Sequence, residues 1–110
     1  MTPRLIVDDS TGADPEFAAE LAGALRADGF DVELRKPNPG AFFDTSVHFV
    51  ADGIAVRVFD EIGRSTLDRL AHVIRGSERK RPQRKRFRAV PVFRHETSWA
   101  LRFVDIFDDL

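Results

Sequence analysis

The apolar and polar positions divide the chain into segments of different period. Leu5, Ile6 and Val7 form a short continuous apolar run, ended by Asp8 and Asp9 and then Ser10-Thr11-Gly12. That pattern predicts a central strand. Phe17, Leu21 and Leu25, with Ala18 and Ala22, then recur at helical spacing. Asp14 is placed to cap this helix, Pro15 suits its first position, and Glu16 sits near the positive end of its dipole. Asp28-Gly29 stops it. Phe30, Val32 and Leu34 alternate with Asp31, Glu33 and Arg35, as in a half-buried strand. Strand, helix and strand with short links predict a βαβ unit, with parallel strands and a right-handed crossover.

Residues 36–40 (KPNPG) read as a loop. The longest apolar-rich run, residues 44–76, has two readings. Val47, Val50, Ala51, Ile54, Ala55, Val58 and Ile62 share one helical face, with Asp44 as N-cap and Gly76 beyond the C-terminus. Against this, residues 47–50 and 54–59 are rich in β-branched and aromatic residues, Asp52-Gly53 is a hairpin turn signal, and Phe49 and Val56 fall off the helical face. Spacing favours one long helix with a bend near Gly63. Its last part, about 66–75, carries the amphipathic stripe Leu67, Leu70, Ala71 and Ile74, preceded by Ser65 and Asp68 in capping-box spacing. Residues 77–86 read as a charged loop. Residues 87–94 read as a strand, at a sheet edge because Pro91 has no N–H. A turn at 95–98 leads to 99–106, where Trp99, Leu101 and Phe103 alternate with Ala100, Arg102 and Val104 as a second hairpin strand. Residues 107–110 make a short tail.

The fold expected is a two-layer α+β sandwich in the order β-α-β-α-β-β. A mixed four-stranded sheet of order 2-1-4-3 carries its helices on one face. The hairpin alternative for 47–59 would add two strands to that sheet.

With 110 residues, the chain is expected to form one domain, 1–110, able to bury a core without staples. It has no Cys, which excludes disulfides and thiolate metal sites. The N-terminus lacks a signal-peptide pattern, and no charge-free window reaches membrane-spanning length. A cytoplasmic location without a membrane span is expected. Formal net charge is -1, but its distribution is uneven. Arg75, Arg79, Lys80, Arg81, Arg84, Lys85, Arg86 and Arg88 crowd one segment, opposed only by Glu78, while acids predominate before it.

That segment is the strongest candidate for function. Arg79, Lys80, Arg81, Arg84, Lys85, Arg86 and Arg88 can bind an anionic partner: a protein partner first, nucleic acid as the alternative. Phe87, the aromatic within the run, is turned toward the sheet by the strand reading, so no base-stacking platform forms. The competing structural reading is a solvated loop paired with the protein's own acids.

RLIVDDSTGADPEFAAELAGALRADGFDVEL resembles the first third of a bacterial response-regulator receiver domain. The resemblance implies Mg²⁺ binding by Asp8 and Asp9 at the end of the first strand. The family's later Asp, hydroxyl residue and Lys have no counterparts here. Ser10-Thr11-Gly12 lacks the glycines and lysine of a phosphate loop. His48, His72 and His95 have no ligand spacing, and Ser65, Ser77 and Ser98 no nucleophile-elbow context. No cofactor is expected, and the function expected is non-enzymatic.

The order of elements, carried by RLIVDD, ELAGALRADGFDVEL, VHFVADGIAVRVFDEIG and the pair RFRAVPVFR/WALRFVDI, is similar to the effector-associated constant component family of actinobacterial proteins. That resemblance implies a non-catalytic accessory or adaptor module acting beside effectors in bacterial conflict systems. It assigns no site residues.

Overall fold

The computed structural model describes residues 4–9, 12, 14–35, 45–59, 64–91 and 98–109. The expected βαβ unit is present. Strand β1 (Arg4–Asp9), helix α1 (Pro15–Ala27) and strand β2 (Asp31–Arg35) follow one another. β1 and β2 pair in parallel, with Leu5 opposite Val32 and Val7 opposite Leu34. Asp14 caps α1, accepting the Phe17 N–H at 3.1 Å. Gly29 ends it with φ +96°, a conformation that costs a residue with a Cβ.

Residues 45–59 form a hairpin, not the first half of a long helix. β3 (Thr45–Ala51) and β4 (Ile54–Phe59) pair antiparallel, closing at Ala51 opposite Ile54. Asp52 and Gly53 between them have φ 47° and 81°. Two positive φ values in a two-residue loop twist with the flanking strands, so Asp-Gly suits this turn. The helical spacing of Val47, Val50, Ile54 and Val58 was a coincidence of two alternating runs. Phe49 and Val56, which a helix leaves off its apolar face, are directly opposite one another and fully buried.

Helix α2 (Arg64–Arg79) contains the expected amphipathic stripe but extends beyond it at both ends. Ser65 lies inside its first turn, and Gly76 stays helical rather than ending it. β5 (Arg88–Pro91) pairs with β3 at the edge of the sheet, a position that suits a residue without an N–H. Residues 98–109 form helix α3 (Ser98–Asp109), not a strand. Alternation over a few residues fits either period. Val104 and Phe107, three apart on one helical flank, both reach the core. The sheet is therefore mixed and five-stranded, ordered β2-β1-β4-β3-β5, and the chain runs β-α-β-β-β-α-β-α. The expected loop at 36–40, the bend near Gly63, Ser10-Thr11 and the turn at 95–97 lie outside the described residues.

One core lies on one face of the sheet. Leu5, Val7, Val32, Phe49, Ile54, Val56, Val58 and Ala89 meet Phe17, Leu21 and Leu25 of α1 there, with Leu67, Leu70 and Ile74 of α2 and Phe107 of α3. By alternation the other face carries Arg4, Ile6, Asp8, Asp31, Glu33, Arg35, His48, Ala55, Arg57, Arg88 and Val90. That face is mixed: its charges come from β1, β2, β4 and β5, while Ile6 and Ala55 on it are buried.

Candidate functional site

The basic segment begins inside the protein. Arg75 lies in α2, and its side chain is 6% exposed. Its Nη1 donates to both carboxylate oxygens of Glu78, at 2.6 and 2.8 Å. Continuation of the helix past Gly76 makes this possible, because it sets Glu78 one turn beyond Arg75. Arg75 also donates to the Phe87 carbonyl at 3.1 Å and to the Phe107 carbonyl at 2.8 Å. Its guanidinium lies over the Phe107 ring, 3.8 Å from the centroid. Glu78 accepts the Phe87 N–H in turn, at 2.6 Å. One ion pair therefore binds both backbone groups of Phe87, just before β5, and a carbonyl of the last turn of α3 that the helix leaves unpaired. Arg75 and Glu78 join α2, β5 and α3.

Beyond α2 the segment lies along α1. Arg81 bonds Glu20 at 2.6 Å and stands 3.6 Å from Glu16. The Glu20 carboxylate raises the Arg81 pKa above its ordinary value, chiefly through this hydrogen bond. Arg84 pairs with Asp14, the cap of α1, and lies over the Phe17 ring at 4.5 Å. Phe87 stacks near the same ring, with centroids 6.2 Å apart. The Lys85 backbone N–H bonds Asp52 at the β3–β4 turn. So Arg81, Arg84 and the backbone at 85–87 anchor the segment at several points.

The remaining cations face water. Arg79, Lys80, Lys85 and Arg86 are exposed. Arg79, Lys80 and the Lys85 ammonium form no ion pair among the described residues, and Arg86 stands 4.0 Å from Glu78. Arg88 is exposed on the charged face of the edge strand β5, opposite Val50. The structure thus splits the candidate set: Arg81 and Arg84 hold the segment, and Arg79, Lys80, Lys85, Arg86 and Arg88 are displayed.

Asp8 and Asp9 are not brought together. Both belong to β1, so their side chains leave opposite faces of the sheet. Asp8 pairs with Arg57 at 3.1 Å, both side chains nearly buried. The Asp9 carboxylate accepts the Gly12 N–H at 3.1 Å. Among the described residues no group of three or more His, Asp or Glu is placed to hold a metal ion.

The Asp8–Arg57 pair was hidden in the sequence, as was His48, which lies opposite Arg57 in the ladder. Desolvation, then the Arg57 charge, lowers the His48 pKa. The unfolded chain takes up the proton first, so this contribution to stability is present above about 6.5 and is lost as pH falls through and below it. Arg57 sits mid-strand between Val56 and Val58, and such a charge in an apolar run was the available signal. For Arg75 the signal was a glutamate at helical spacing, masked by the surrounding cations.

No protein-family model, curated protein or solved structure matches the chain. No described helix is long and apolar enough to cross a membrane.

Proposed function

We propose that the protein is a small non-enzymatic accessory module of the cytoplasm. It docks an acidic surface of a partner protein through Arg79, Lys80, Lys85 and Arg86, with Arg88 at the adjoining sheet edge. The observation that carries this reading is the division of labour within the segment. Arg81, Arg84 and the backbone at 85–87 are tied to α1, Glu78 and the β3–β4 turn, while neighbouring cations stay exposed. An anchored loop loses little entropy when its exposed charges are engaged. Charge complementarity then sets partner choice and association rate. The resemblance to effector-associated constant component proteins extends the proposal to an adaptor role beside bacterial conflict effectors.

The test is the triple variant Arg79→Glu, Lys80→Glu, Lys85→Gln, which leaves Arg81, Arg84 and Arg86, the neighbour of Glu78, in place. Crosslinked capture by the unaltered protein should retain an acidic protein at low salt, and the variant should lose it with its melting temperature unchanged. Capture that ignores both salt and the substitutions would sink the proposal. Nucleic acid is the other acidic ligand this segment suits. Anisotropy with random-sequence DNA and RNA separates the two, because phosphate binding weakens steeply with salt.

A further inference from the structure

Among the described residues β2 pairs with β1 alone, so its outer edge faces no strand. The opposite sheet edge is blunted by Pro91 in β5, whereas β2 has no proline. We propose that β2 pairs antiparallel with β2 of a second copy of this chain. The two five-stranded sheets then join into one continuous sheet across a two-fold axis.

The strand Asp-Val-Glu-Leu-Arg is its own complement when reversed. Centred on Glu33, antiparallel pairing sets Asp31 opposite Arg35 of the second copy and Arg35 opposite its Asp31. These pairs fall on the charged face. On the helix-bearing face, Leu34 comes opposite Val32 of the second copy. Leu34 is 42% exposed, the large apolar side chain left open among the described residues, and this pairing covers it. Glu33 meets its copy at the axis, where each is already bonded to Arg4 and Arg35. Asp31–Arg35 pairs therefore flank the axis on both sides and offset the like charges of the two Glu33 at its centre.

Other registers are poorer. Centring on Val32 sets Asp31 against Glu33 of the other copy. Centring on Leu34 pairs only residues 33–35. A one-residue offset turns one copy's apolar side chains to the charged face. Arg26 donates to the Val32 carbonyl from α1. Both its Nε and its Nη2 bond that oxygen, so the incoming Leu34 N–H of the second copy displaces one of them, and the exposed Arg26 head turns to water.

The dimer uses β2 and leaves residues 79–86 untouched, so it stands or falls apart from the docking reading. Sedimentation velocity from about micromolar to about millimolar concentration should show the unaltered protein passing from monomer to dimer. Asp31→Arg sets Arg against Arg across the axis, and Arg35→Asp sets Asp against Asp. Each should weaken self-association by about tenfold. A mixture of the two variants restores both opposite-charge pairs and should form a heterodimer. Leu34→Lys, at an exposed position, should abolish the dimer and leave the melting temperature unchanged at concentrations where the unaltered protein is monomeric, which keeps the test valid if a charge swap disturbs folding. A protein monomeric to about 1 mM, a dimer indifferent to the swaps, or a mixture that fails to re-associate would each overturn the proposal.

Discussion

Arg75 and Arg81 belong to one basic run, and each bonds a glutamate at 2.6 Å. Their surroundings differ. The Arg75 side chain is 6% exposed and Glu78 11%, whereas Arg81 is 28% exposed and Glu20 47%. Around Arg75 the remaining donors and acceptors are backbone groups of Phe87 and Phe107 and a ring face. Around Arg81 the remaining partner is Glu16, 3.6 Å away and itself 79% exposed. The comparison teaches that the same chemical pair is a structural joint where water is excluded and a loose tether where it is admitted. Removing one member of a buried pair strands the other charge. Removing one member of an exposed pair leaves a solvated ion.

Three substitutions sharpen this contrast. Arg75→Ala should cost about 3–5 kcal/mol, read from the urea midpoint. It leaves Glu78 with only the Phe87 N–H and the more distant Arg86 and frees the Phe107 carbonyl, so near-ultraviolet circular dichroism should report loosened packing around α3. A cost near that of an exposed pair would show that the joint is not what holds α3. Arg84→Ala falls between the extremes. Arg84 is 13% exposed, pairs with the α1 cap and covers Phe17, and its loss should cost about 1–2 kcal/mol. Arg81→Ala should move the urea midpoint least of the three, and added salt should erase the difference from the unaltered protein. A ranking in any other order would break the link drawn between exposure and structural role.

The βαβ unit was legible because each local signal agreed: an apolar run, a capped amphipathic helix, a glycine stop and an alternating strand. Pro91 at a sheet edge and the apolar stripe of α2 were legible for similar reasons, since a missing N–H and a single helical face are properties of the residues themselves. The basic segment was visible as composition. Its division into anchors and displayed cations was not, because Arg81 and Arg84 find their partners in Glu20 and Asp14, far earlier in the chain.

Two assignments failed for one reason. Residues 47–58 fit helical spacing, and residues 99–104 fit strand alternation, yet each formed the other element. Short apolar segments satisfy both periods, and the choice falls to the neighbours. β4 lies between β1 and β3 and fills the middle of the sheet, where Phe49, Ile54 and Val56 are buried. With five strands in place, the C-terminal segment was free to coil over β5 and seat Phe107 against Phe49, ring centroids 4.7 Å apart. By itself, then, the sequence determined the mixed α+β class, the parallel pair and the concentration of cations after α2. Only the tertiary structure decided which cations are buried, which are anchored and which face outward. A side chain's exposure depends on segments distant in the chain, and no local period encodes them.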